Sequence, residues 1–214
     1  MVRYTQHPDL DDGLARKFRE GHVELFENGS FIATNNGQVV KSFEYNGEEY
    51  VIKRYPENSL RANIRSVLGV SRAMNSFVKA AKLQKVGVQT PSHLFVARHL
   101  GALKGESFLI MKKSLGESLY SMLCEEPPRR VSFILVAKLA EMTKKIHAVG
   151  FIHGDLHAGN IFVLEDGSVE IIDLDNLRIN TNRRVRDQER LLRSFEMDPS
   201  LHKKLSLALA NHNS

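Results

Sequence analysis

The chain has 214 residues, 42% hydrophobic and 26% charged, with a net charge of +5. That is enough for one sizeable core or two small lobes, and the composition is that of an ordinary globular protein, not a disordered one. The longest apolar run, Phe133 to Ala137, is too short to cross a bilayer, the acidic opening (Asp9, Asp11, Asp12) is not a signal peptide, and the single cysteine, Cys124, excludes an internal disulfide or a cysteine-rich metal site. A reducing cytosol is the expected compartment.

In chain order, a short helix is expected near Leu14 to Phe18. Three strands follow at Ser30 to Thr34, Gln38 to Tyr45 and Glu49 to Lys53. Asn35-Asn36-Gly37 and Asn46-Gly47 join them, since Asn and above all Gly accept the positive φ of a tight hairpin turn. Val70, Met74, Phe77 and Ala81 are spaced four, three and four apart and predict one buried helix face, ended by Gly87 and Pro91. Ser107 to Met111 reads as a buried strand running into a hinge at Lys112-Lys113-Ser114-Leu115-Gly116. A long helix spans Val131 to Val149 with Gly150 as its stop. A hairpin is expected from Ile161 to Leu164 and from Val169 to Ile172. Two short helices should close the chain, one Arg-rich (Arg184 to Phe195) and one beginning at Asp198-Pro199.

From Asn58 to Lys104 there is no Asp or Glu but there are eight basic residues: Arg61, Arg65, Arg72, Lys79, Lys82, Lys85, Arg98 and Lys104. Such a stretch suits phosphates or an anionic membrane surface. With 7% aromatic residues and no Trp, nucleic acid is not expected as a partner.

The residues that carry chemistry are His153-Gly154-Asp155-Leu156-His157-Ala158-Gly159-Asn160 and, thirteen positions after Asn160, Asp173 in Ile171-Ile172-Asp173-Leu174-Asp175. An Asp, an Asn five residues on, a strand and a second Asp have the spacing of a phosphoryl-transfer site in kinase-like folds. Asp155 would hold the attacking hydroxyl and take its proton, while Asn160 and Asp173 would hold Mg²⁺ on the ATP phosphates. Lys53, at the end of a strand about a hundred residues earlier, is the expected phosphate-pairing cation. Gly37-Gln38-Val39 fits the closing Gly-x-Val of a nucleotide-covering loop, so Gly37, Val39 and Lys53, with Met111, Lys112 and Ser114 at the hinge, are assigned to ATP. His153 is expected to brace the loop through backbone or Asp173 hydrogen bonds. His157 is read as polar surface or a substrate contact, and His147 as a packing residue.

These motifs resemble the lipopolysaccharide core kinases of the Kdo/WaaP family, over about Gln38 to Phe195. Ser71-Arg72-Ala73, Gly87-Val88-Gln89-Thr90-Pro91 and Leu191-Leu192-Arg193-Ser194-Phe195 resemble that family's less specific segments. The resemblance implies an α+β, two-lobed protein-kinase-like fold with a truncated C-terminal lobe, divided at 111/112. It also implies transfer of phosphate from ATP to heptose or Kdo in the lipopolysaccharide inner core, at the inner face of the cytoplasmic membrane. Two departures stand out. No acidic residue lies between Glu57 and Glu106 to pair with Lys53, so Asn75 or Ser76 takes the place of the usual helix glutamate. No Ala-Pro-Glu follows Asp173, and the 41 residues after it (214 − 173) cannot form the helical subdomain that grips peptides. A small RIO-like protein kinase and a pseudokinase scaffold of an envelope assembly are the alternatives.

Overall fold

The computed structural model describes residues 1–35, 37–57, 68, 70–100, 105–125 and 131–210. The chain divides into two compact units, Met1–Ala81 with Pro91–Lys113, and Lys82–Thr90 with Ser114–Ser214. Helices and antiparallel sheet are mixed, which is the expected α+β class.

The first unit is built on β1 (Val2–Gln6), β2 (Ser30–Asn35), β3 (Gln38–Tyr45), β4 (Glu48–Glu57), β5 (His93–His99) and β6 (Gly105–Lys112), ordered β1-β5-β6-β4-β3-β2 and antiparallel throughout. Asn46 (φ 53°) and Gly47 (φ 75°) form the β3–β4 turn in the left-handed geometry predicted for them, and Gly37 (φ 77°) turns β2 into β3. Asn36 and the basic residues Arg61, Arg65 and Lys104 lie outside the described residues.

Side chains alternate along β4 and so build two cores. Tyr50 and Ile52 pack with Phe18 and Phe26 of α1 (Asp12–Asn28). Val51 and Tyr55 pack with Ala73 and Phe77 of α2 (Arg72–Lys85). Lys53 falls between the latter two and therefore on the α2 face.

Three expectations change here. The first helix is 17 residues long, capped by Asp11, whose Oδ1 accepts from Leu14 N at 3.0 Å. Its buried stripe includes His22, which sequence polarity hid. β5 was not predicted, because Leu94 to Ala97 is apolar without alternation; all four residues are buried, as in a strand covered on both sides. On α2 the buried residues are Ala73, Ser76, Ala80 and Leu83, while Val70 is exposed and precedes the helix. The expected stripe was therefore rotated by about one position.

Among the described basic residues of this unit, some are engaged. Arg98 is buried, and Arg72 donates to Gln38 Oε1 (3.3 Å) and lies over the Tyr55 ring.

In the second unit, α3 (Leu119–Cys124) precedes α4 (Phe133–Ala148), which Ser132 caps by accepting from Leu135 N at 3.1 Å. Gly150 (φ 81°) stops α4 as expected. β7 (Glu117–Ser118), β9 (Ile161–Val163) and β10 (Val169–Ile171) form one small sheet. β8 (Phe151–Ile152) and β11 (Arg178–Ile179) form another. α5 (Arg184–Arg193) and α6 (Pro199–Ala210) close the unit. Asp198 caps α6, accepting from Ser200 N and Leu201 N, both at 3.0 Å. The short helix α3 has no counterpart in the predicted elements, and it ends in the exposed Cys124.

Candidate active site

Antiparallel pairing of β8 with β11 sets Ile152 opposite Arg178. The loop leaving β8 carries Asp155, and the loop entering β11 carries Asp173, so the two run side by side. Their approach is close. Gly154 has φ +80°, and a Cβ there would sit 2.8 Å from the carbonyl oxygen of Asn176, so only glycine fits on both counts.

His153 joins the same two loops. Its ring is fully buried, and Nε2 lies 3.0 Å from the carbonyl oxygen of Ile172. A carbonyl only accepts, so Nε2 carries the proton. Burial holds the His153 pKa below its usual value, against the Ile172 bond and the carboxylates of Asp187, Asp173 and Asp155, which raise it. Three carboxylates from three chain segments thus act on one imidazole. His153 braces the loop as predicted, through backbone.

Asn160 ends a 3₁₀ turn (Ala158–Asn160) and is the link between the motifs. Its Nδ2 donates to the Asp155 carbonyl at 3.0 Å, and its own carbonyl accepts from Ile172 N at 2.9 Å, one residue before Asp173. Asp173 is left-handed (φ 57°, ψ 62°). Asp tolerates that conformation better than most residues, and such backbone outliers persist where surrounding bonds over-determine them, often at functional sites.

Asp155 is held by a residue the motif search missed. Arg190 Nη1 donates to Asp155 Oδ1 at 3.0 Å and to the Gly154 carbonyl. On the other side, His157 Nε2 stands 3.6 Å from Asp155 Oδ2, and His157 Nδ1 accepts from Gly159 N at 3.1 Å.

Asp187 is the second omission. Buried on α5, it accepts from His153 N (2.6 Å), Gly154 N (2.8 Å) and His147 Nε2 (3.2 Å). Burial pushes its carboxyl up, but the bonds from His147, Gly154 and His153 outweigh that and hold it below the ordinary range. His147 is the satisfied packing residue expected. The only sequence signal for either omission was an acid and an arginine three apart on a helix otherwise rich in arginine.

In the first unit Lys53 is buried. Its positive charge, after burial itself, helps to push His93 down to about 4, against a backbone bond to Pro91. His93 Nδ1 lies 2.8 Å from the Pro91 carbonyl and Nε2 3.3 Å from Ser76 Oγ. Ser76, rather than Asn75, is therefore the buried polar residue of α2, and it meets a neutral imidazole.

Val39 needs correction. It packs with the α1-side core, whereas Val40 pairs with Lys53 and shares its face, because strand neighbours point to opposite sides. Met111 is on the Lys53 side. Lys112 spends its N–H on the Ser92 carbonyl and its ammonium on Glu48. Gly37 is an exposed turn residue, and Ser114 Oγ accepts from Gly116 N.

Among the described residues no cluster of three or more His, Cys, Asp or Glu could hold a metal. Asp173 and the Asn160 amide oxygen supply two hard oxygen donors. That suits Mg²⁺, which takes one or two protein ligands and fills its shell with phosphate and water, and does not suit zinc.

A mostly apolar cavity of about 1210 Å³ opens beside Asp155, walled by residues of α3, α4, α5, α6 and the segment joining the last two, including Tyr120, Cys124, Phe133 and Phe195.

The sequence profile of the lipopolysaccharide kinase (Kdo/WaaP) family matches residues 27–212. The chain belongs to this family. Lys53, Asp155, Asn160, Asp173, Asp187 and Arg190 all lie inside the matched stretch. The chain is 26% identical to the lipopolysaccharide core heptose(I) kinase WaaP of Escherichia coli K12, across 72% of this chain and 68% of that one. A second Escherichia coli heptose(I) kinase WaaP is also 26% identical, across 69% and 63%. The heptose(II) kinase WaaY of strain K12 is 33% identical over a shorter stretch, 34% and 30%. The chain thus spans about two thirds of the heptose(I) kinases it matches. As a member of this kinase-like family it is a phosphotransferase with an alcohol group as acceptor.

Proposed function

We propose that the protein transfers the γ-phosphoryl group of ATP to a hydroxyl of an inner-core heptose of lipopolysaccharide. The observation that carries this is the Asn160 bridge, one side chain and its backbone tying the Asp155 loop to the residue before Asp173. Heptose is preferred to Kdo as the acceptor because the similar curated proteins are named heptose kinases.

Asp155 accepts the hydroxyl proton as the acceptor oxygen forms its bond to phosphorus and the bond to the ADP oxygen breaks. Asn160 and Asp173 would hold Mg²⁺, which when bound with ATP would neutralise the charge of the phosphates. Lys53 is the phosphate-pairing cation, with Gly37, Met111 and Ser114 near the nucleotide and Val40 in place of Val39.

The reaction belongs on the cytoplasmic side, where ATP is, at the membrane that carries the acceptor. No described helix is long and apolar enough to cross a membrane. The exposed Lys82 and Lys85 of α2 suit peripheral contact with anionic lipid.

The test is Asp155→Asn. It should lower kcat by roughly 10²–10⁴-fold with little change in stability. In cells carrying only that variant, mass spectrometry of the core oligosaccharide should show one phosphate fewer, and cell fractionation should place the protein with cytoplasm or inner membrane. Unchanged core phosphate would remove the proposal.

A further inference from the structure

The charged side chains on the wall of the cavity beside Asp155 differ in how far they are engaged by partners. Its two carboxylates are committed. Asp155 is bonded to Arg190, and Asp198 caps α6. The two arginines are less so. Arg190 uses Nη1 on the Asp155 loop, and its other nitrogens have no partner among the described residues. Arg193, one turn further along α5 on the same wall, is exposed, and its guanidinium has no hydrogen bond or ion pair among the described residues. Residues three apart on a helix lie on one face, so the two guanidinium groups flank the point where the acceptor hydroxyl must reach Asp155. Apart from these groups the wall carries His157 and a few hydroxyls (Tyr120, Ser132, Ser194, Ser200) among mostly apolar side chains, so the guanidinium pair is its main source of positive charge.

Building on the kinase reading above, we propose that Arg193, with Arg190, recognises an acidic group on the acceptor. This would be a carboxylate or a phosphate on the phosphorylated sugar or its immediate neighbour. Guanidinium binds either in a two-pronged, charge-assisted geometry that a lysine or a hydroxyl cannot reproduce. The pair therefore acts as a specificity determinant. A sugar with a free hydroxyl but no adjacent anion would enter the cavity and be turned over poorly.

The experiment compares kcat/KM of the purified full chain, with MgATP, on three acceptors. They are a heptose–Kdo oligosaccharide from the inner core, the same oligosaccharide with its carboxylates reduced to alcohols, and the same oligosaccharide treated with phosphatase. A charge-assisted contact of this kind predicts a loss of about 10–100-fold on removing the recognised anion. Loss on carboxyl reduction identifies a carboxylate, and loss on phosphatase treatment identifies a phosphate. In Arg193→Met the preference for the intact acceptor should shrink towards one, with Arg193→Lys between. Arg186→Met, on the same helix but away from the cavity, should keep the full preference. Arg193 holds nothing in place, so its truncation tests recognition rather than folding. Equal turnover of all three acceptors, or a preference untouched by Arg193→Met, overturns the inference while leaving the kinase reading intact. Failure to phosphorylate any of the three sinks that reading, and this one with it.

Discussion

Lys53 in the first unit and Asp155 in the second are the two charged side chains expected to do chemistry, and their surroundings differ. Lys53 is buried on a sheet face whose facing helix carries no acid, and the nearby α2 polar group, Ser76, is turned to a neutral His93. Asp155 stands in a lattice of named bonds. Arg190 grips its carboxylate, Asn160 its carbonyl, and Asp187 the two preceding N–H groups. The contrast teaches that the second unit fixes Asp155 in advance of any ligand through bonds from several chain segments, whereas Lys53 is set on a strand face opposite a helix without acids.

The largest expected effect comes from cutting that lattice at its root. Asp187→Ala strands two backbone N–H groups and His147 in the interior and should cost about 3 kcal/mol or more in urea unfolding. Activity should be lost along with the stability. Asp187→Asn, which keeps an acceptor, should lose less. If Asp187→Ala unfolds like the parent protein, the second unit is not pre-fixed in this way.

A glycine pair sharpens the comparison. Gly154→Ala combines a positive φ with a Cβ 2.8 Å from the Asn176 carbonyl and should lose about 1–3 kcal/mol, with slower phosphoryl transfer. Gly47→Ala has the same sign of φ but nothing within 4 Å, so it should lose about 1 kcal/mol and leave turnover alone.

A further effect is pH dependence. His93 is pushed from 6.5 down to about 4, chiefly by burial, and burial also lowers His153. The unfolded chain therefore binds more protons than the folded one as the pH drops below about 6.5. Stability is full above that value and is lost on acidification, by at most about 1.4 kcal/mol per pH unit for each such histidine. Urea midpoints at pH 7 and pH 5 check the sign. A His93→Gln variant should show a shallower dependence, and an unchanged slope would mean that His93 does not contribute.

What could be read from the sequence divides along the same physical lines. Asn46-Gly47, Gly87, Gly150 and Asp198-Pro199 act through their own backbone or first neighbours, and each turn or cap formed where predicted. The Asp155–Asn160–Asp173 spacing was legible because one loop and one hairpin bring those residues together. Asp187 and Arg190 were not, since their partners lie more than thirty positions away and nothing local marks them. β5 escaped because a strand buried on both faces carries no period. Val39 was placed by motif position alone, whereas strand alternation puts Val40 on the face of Lys53. The α2 stripe was misplaced because Ser76, a polar residue, lies on its buried side.

Cys124 has a use that follows from two plain facts, that it is the chain's single cysteine and that it is exposed on the wall of the cavity beside Asp155. A maleimide dye would attach at one position without engineering, and its emission would register whatever enters next to it. Occupancy by an acceptor could then be followed in real time, without radiolabel and without turnover.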